Sequence, residues 1–190
     1  MAMTVDELIT KIKDKDDKVR SAAWLGAGEV GAPAVKPLAA VMSDPASDLE
    51  VSRAAKRAMW QIVRHVGRPG AEAEEKPVVA ELLALLADGQ PAPLRREVLW
   101  MLSEIGGDES IDAMAKLLGN RELREDARCS IQRIPGEKSL SALKAAMGEA
   151  PDDFKAAIAE SLRARGVDVP GLPSPRLAPA KQTSVKPVGR

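Results

Sequence analysis

One short block recurs along the chain: VRSAAWLGAGEVG at 19–31, AAKRAMWQIVRHVG at 54–67, LRREVLWMLSEIG at 94–106, LREDARCSIQRIP at 123–135 and FKAAIAESLRARG at 154–166. The third copy explains the pattern. Leu94, Val98, Leu102 and Ile105 fall at helical spacing on one face. Gly106 and Gly107 then stop the helix. Asp108 stands where it could cap a second helix that carries Ile111, Met114, Leu117 and Leu118. The earlier blocks are followed by comparable apolar runs, through Val35, Leu38 and Met42 and through VVAELLALLAD at 78–88. The fourth is followed by Leu140, Leu143 and Met147. Helices this short cannot bury an apolar stripe alone, so each pair must stack on its neighbours.

The expected fold is all-α: a right-handed α-solenoid of stacked antiparallel helix pairs with about ten helices. It comprises four pairs, a leading cap helix at 4–13 and a trailing helix, within residues 1–166. Strand formers are scarce, with no Tyr, one Phe and three Trp. Thr4 with Glu7, and Ser47 with Glu50, match capping boxes. Pro33, Pro77, Pro93 and Pro151 are expected at or near helix starts, and 69–76 reads as a long inter-helix loop. Beyond 166 the character changes. Residues 167–190 are Pro-rich and carry Arg176, Lys181, Lys186 and Arg190 against Asp168, which reads as a basic disordered tail.

These blocks, each followed by an apolar helix, resemble the short HEAT-like repeats of phycobilisome lyase-type proteins over about residues 4–166. The resemblance implies a HEAT-like superhelix. It also implies that the second helices, at 33–42, 77–87, 108–118 and 137–147, line a concave side.

Several chemistries have no residues to carry them. Lys and Arg number 28 and so do Asp and Glu, so the chain lacks the basic excess usual in a DNA-gripping protein. One cysteine, Cys129, allows no internal disulfide, and one histidine, His65, allows no multi-histidine metal site. The carboxylate pairs Asp16–Asp17, Glu74–Glu75 and Asp152–Asp153 stand at expected helix starts, where they serve the helix dipole. No signal peptide or membrane span is read, so the expected location is cytoplasmic.

The candidate site residues are therefore for binding. Trp24, Trp60 and Trp100 take nearly the same place in successive blocks, which Cys129 and Glu160 take in the last two. A place that accepts Glu is not deep core: it packs between repeats or forms an aromatic ridge for a partner. Arg53, Arg57 and Arg64 share a helix face near Trp60. On the second helices Lys36, Glu81, Asp112, Lys116 and Lys144 are expected to be exposed. A further basic register, Arg20, Lys56, Arg95, Arg124 and Lys155, is expected to pair with Asp17, Asp48 and Asp153. The reading is a non-enzymatic interaction scaffold for a protein or peptide, with no cofactor, metal or membrane. The alternatives are a nucleic-acid-binding, glycosylase-like protein, and a bilin lyase-type chromophore attachment factor implied by the resemblance alone.

Overall fold

The computed structural model describes residues 3–174, and among them there is no strand. Ten α-helices follow in order: α1 Val5–Ile12, α2 Asp17–Leu25, α3 Val35–Ser43, α4 Leu49–Val66, α5 Glu72–Ala84, α6 Ala92–Ile105, α7 Asp108–Ala115, α8 Arg124–Arg133, α9 Glu137–Glu149 and α10 Asp152–Ala164. Short 3-10 turns extend α2 and α7 and precede α3. The helices form two layers. In one, α2, α4, α6, α8 and α10 lie side by side; in the other, α1, α3, α5, α7 and α9 do. The protein is thus an all-α repeat solenoid, and α1 extends the second layer beside α3.

The core runs unbroken between the layers. Leu8 and Ile12 of α1, Leu38 of α3, Ile62 of α4, Leu82 of α5, Leu102 of α6 and Ile111 of α7 are fully buried in it, as are Leu143 of α9 and Ile158 of α10. Leu38, Leu102, Ile111 and Leu143 are among the positions picked out by the apolar pattern, whereas Met42, Leu140 and Met147, also picked out, are only half-buried. Small residues set how closely units one and two approach. Ala54, Ala55 and Ala58 of α4 are buried, and Gly28 lies so near α4 that a Cβ there would stand 2.8 Å from Cβ of His65.

The helix ends correct several expectations. The Thr4–Glu7 capping box forms, with the Glu7 carboxylate accepting from Thr4 N–H at 2.9 Å. Ser47 and Glu50 form none. The Asp44 carboxylate accepts from Ala46 N–H and starts a turn that holds Ser47, so α4 begins after Asp48. Glu50 instead pairs with Arg53 at 2.7 Å. Asp108 is the first residue of α7 and not its cap; Gly107 precedes it and donates its N–H to the Glu109 carboxylate at 2.9 Å. Pro77 lies inside α5, which starts at Glu72 within the expected loop. Glu72, Glu74 and Glu75 occupy its first turn, favourable at the positive end of a helix, and Arg68 holds Glu74 at 2.6 Å.

At the far end Arg165 donates to the carbonyls of Ile134 (2.8 Å) and Gly136 (3.1 Å), satisfying backbone left open where α8 stops. Arg163 donates to the carbonyls of Val169 and Leu172, so residues read from sequence as the start of the tail lie against α10. Residues 175–190, the rest of that tail, lie outside the described residues. No described helix is long and apolar enough to cross a membrane.

Candidate binding surface

The recurring tryptophans lie between neighbouring repeats, and a recurring clamp holds two of them. Trp60 donates its indole N–H to Glu97 at 3.2 Å, and Lys56, one helical turn earlier, reaches the same carboxylate at 2.9 Å. One repeat on, Trp100 donates to Asp126 at 2.9 Å and Arg96 reaches that carboxylate at 2.9 Å. Glu97 stands three residues before Trp100, and Asp126 three residues before Cys129. The same two-donor contact therefore joins α4 to α6 and α6 to α8. At the first seam a cation replaces the acid. Arg57 lies over the ring of Trp24, with its guanidinium carbon 5.7 Å from the ring centre.

The basic register is partly as expected. Arg124 pairs with Asp153 at 2.7 Å, and that guanidinium holds the Asp153 carboxyl below the usual carboxylate range. Arg20 bonds the carbonyls of Asp14 and Lys15 and not Asp17, and Lys155 pairs with Asp152 in its own helix. Neither Asp17 nor Asp48 takes part. Arg95 is not the partner of Lys56 in the register: it is buried and turns back to Asp88 at 3.0 Å. Arg96 fills the inter-repeat role.

The second-layer candidates stand on the other side of the molecule from the tryptophans. Lys36 pairs with Glu81 at 2.9 Å, and Asp112 with Lys138 at 2.7 Å, each across successive second helices. Lys116 and Lys144 are exposed. These charges do not converge on one spot.

The first layer is different around α4. Every Lys and Arg of α6, α8 and α10 has a carboxylate within ion-pair distance: Arg95, Arg96, Arg124, Arg128, Arg133, Lys155 and Arg163. On α4, Arg53 and Lys56 do as well. Among the described residues Arg57 and Arg64 have none. Both are exposed, and each lies over a tryptophan, Arg64 at 5.7 Å from the centre of Trp60. Leu25 beside them is 59% exposed, a large apolar side chain left in solvent.

Two grooves flank α4 on this face. The one toward α2, about 300 Å³, is lined by Leu25, Gly28, Glu29, Gln61, Arg64 and His65. The one toward α6, about 450 Å³, is lined by Trp60, Val63, Arg64, Gly67, Glu104 and Ile105. Arg64 borders both. Of the sequence candidates, Trp24, Trp60, Arg57 and Arg64 are brought together, while Arg53 is tied to Glu50 and Trp100 to Asp126. Sequence reasoning missed Glu97 and Asp126, although an acid three residues before the tryptophan place recurs in both blocks. Among the described residues no group of His, Cys, Asp and Glu is placed to hold a metal ion.

Comparison with curated proteins finds no match. Among solved structures, a designed armadillo repeat protein in complex with the peptide (KR)4 is 18% identical, with 84% of this chain and 81% of that chain covered and a TM-score of 0.44. An engineered protein is 21% identical, with 84% and 78% covered and a TM-score of 0.42. Residues 79–163, from within α5 to near the end of α10, match the family model of HEAT repeats, and over that stretch the chain is similar to this family.

Proposed function

We propose that the chain is a non-enzymatic scaffold that binds a protein or peptide, and that it does so on the first-helix layer around α4. The observation carrying this is the pair of arginines without carboxylate partners among the described residues, Arg57 and Arg64, each lying over a tryptophan on a layer whose later helices pair every cation. A guanidinium held over the face of an aromatic ring without an acid partner leaves N–H groups for a ligand carboxylate. Trp and Arg are also the side chains most often found to dominate binding energy at interfaces.

A nucleic-acid backbone asks for several uncompensated cations in a track. Among the described residues of α4, α6, α8 and α10 only Arg57 and Arg64 lack an ion pair, and in α2 Lys18 and Arg20 do, Arg20 being held by the carbonyls of Asp14 and Lys15. That is short of such a track and favours a protein ligand. The likeness to phycobilisome lyase-type repeats rests on block spacing and adds no residue to this surface.

The test is affinity capture with cross-linking from native extract, using wild type and R57E/R64E. A saturable protein partner cross-linked to the solenoid and reduced about tenfold in the double variant is the expected result. Finding no saturable protein partner for the wild type sinks the scaffold reading. Cross-links confined to the α3–α5–α7–α9 layer would move the site there.

A further inference from the structure

We infer that the two grooves flanking α4 form one binding site for an extended acidic peptide segment, with a carboxylate on Arg64 and an apolar side chain in each groove. This rests on the scaffold reading and names the ligand class. Arg64 is the only arginine that lines both grooves. Its guanidinium lies over Trp60, with no carboxylate among the described residues within ion-pair distance. The groove toward α6 has an apolar floor of Trp60, Val63 and Ile105. Gly67 leaves that floor open, since a Cβ there would meet Ile105 Cγ2 at 3.0 Å. The groove toward α2 offers the exposed Leu25.

Charge decides what sits between them. Glu104 on the rim of the α6 groove is already neutralised by Arg133 of α8. Glu29 on the rim of the α2 groove has no ion pair among the described residues and repels an acid at that outer edge. The favourable place for a carboxylate is therefore the ridge between the grooves, where Arg64 stands and Arg57 lies two helical turns earlier on the same face. A basic segment is repelled at the same place, which counts against the chain's own Lys/Arg-rich residues 176–190 as occupant.

Spacing sets the sequence pattern. Packed helices lie about 8–10 Å apart, and a polyproline II chain has about three residues per turn and advances about 3.1 Å per residue, so two apolar anchors three positions apart both face the solenoid. The ligand is thus an apolar residue, an acidic pair, then an apolar residue, in polyproline II form.

The experiment is fluorescence anisotropy of full-length protein against three labelled synthetic peptides. One has two leucines about three positions apart with glutamates between them; its counterparts carry lysines for the glutamates or serines for the leucines. The glutamate–leucine peptide is expected to bind, the other two at least about tenfold more weakly. R64E should lower affinity for the glutamate peptide by about tenfold or more and create binding of the lysine peptide. The gain of lysine-peptide binding by R64E guards against misreading a folding defect, since an unfolded chain would gain none. K144E on the other layer should change nothing. Equal binding of glutamate and lysine peptides, or R64E binding like wild type, overturns the proposal. So does a single-stranded oligonucleotide that binds more tightly than the peptide and is lost in R64E. If these peptides fail while cross-linking still finds a protein partner, the groove assignment falls and the scaffold reading stands.

Discussion

Arg95 shows how a single side chain can be placed against its sequence register. It is 5% exposed, its Nε has no hydrogen-bond partner, and its charge is met by Asp88, whose carboxylate lies in solvent. A buried cation with one exposed partner is weak evidence for stability. D88A should lower the urea midpoint, because the buried guanidinium loses its anion. R95M should be neutral or stabilising, and no added loss should follow from combining the two. Gly28 makes the opposite kind of contact. G28A forces a methyl against His65 and should cost about 1–3 kcal/mol, and H65A in the same chain should recover only part of it, since alanine keeps the Cβ that stands 2.8 Å away. The sequence led to Arg95 and away from Arg96 because the register was counted from the closing glycine. The first two blocks hold an extra residue between Trp and Gly, so counting from the tryptophan instead gives Lys56 and Arg96, the pair that shares a role.

At the scale of the helix, the sequence was most readable where one signal sufficed. The Thr4–Glu7 box is local chemistry and formed as read, and bonding to Thr4 lowers the Glu7 pKa. A depressed carboxyl stabilises the fold above its unfolded pKa and is lost as pH falls through the folded one. Acidifying through and below the usual carboxylate range should therefore loosen α1. The T4A variant should show the same faster amide exchange in α1 already at neutral pH, corresponding to about 1 kcal/mol. Asp153, held down by Arg124, adds a similar acid sensitivity at the start of α10. Where two local signals competed, the sequence was less clear. Pro77 suggested a helix start, yet the three glutamates before it and the Arg68–Glu74 contact carry α5 back to Glu72. The closing glycines also differ. Gly31 and Gly166 have positive φ, but Gly67 and Gly106 do not, so one letter marks different turns.

The whole molecule is a line of seams of unequal make. Between α2 and α4 the contact is close and small-residued, with Arg57 on Trp24. Between α4 and α6 it relies on Glu97 and carries an open groove, and in the other layer a second groove opens between α5 and the α6–α7 turn, lined by Val79, Leu83 and Ile105. In a stacked array stability is a sum of unit and seam terms. Chains keeping only Trp60 or only Trp100 should therefore unfold in urea at nearly but not fully coincident midpoints. E97Q should separate them further, with Trp100 the later to unfold. Coincident midpoints in the E97Q background would show that this seam is not the weak one. The two-layer plan was legible because it follows from repetition and apolar spacing alone. The surface around α4 was only half legible: the sequence marked Trp60, Arg57 and Arg64, but only the fold shows which arginines lack an acid.

The Trp-and-cation clamp also has a bearing on how such a chain can change length. A duplicated copy of 92–119 placed after itself would offer its own Glu97 to the Arg96 and Trp100 before it, so the middle of the array can be copied without redesign. At α10 the matching place is Ala157, and Arg163 and Arg165 are already spent on carbonyls. Growth by internal duplication is therefore open at unit three and closed at the final helix.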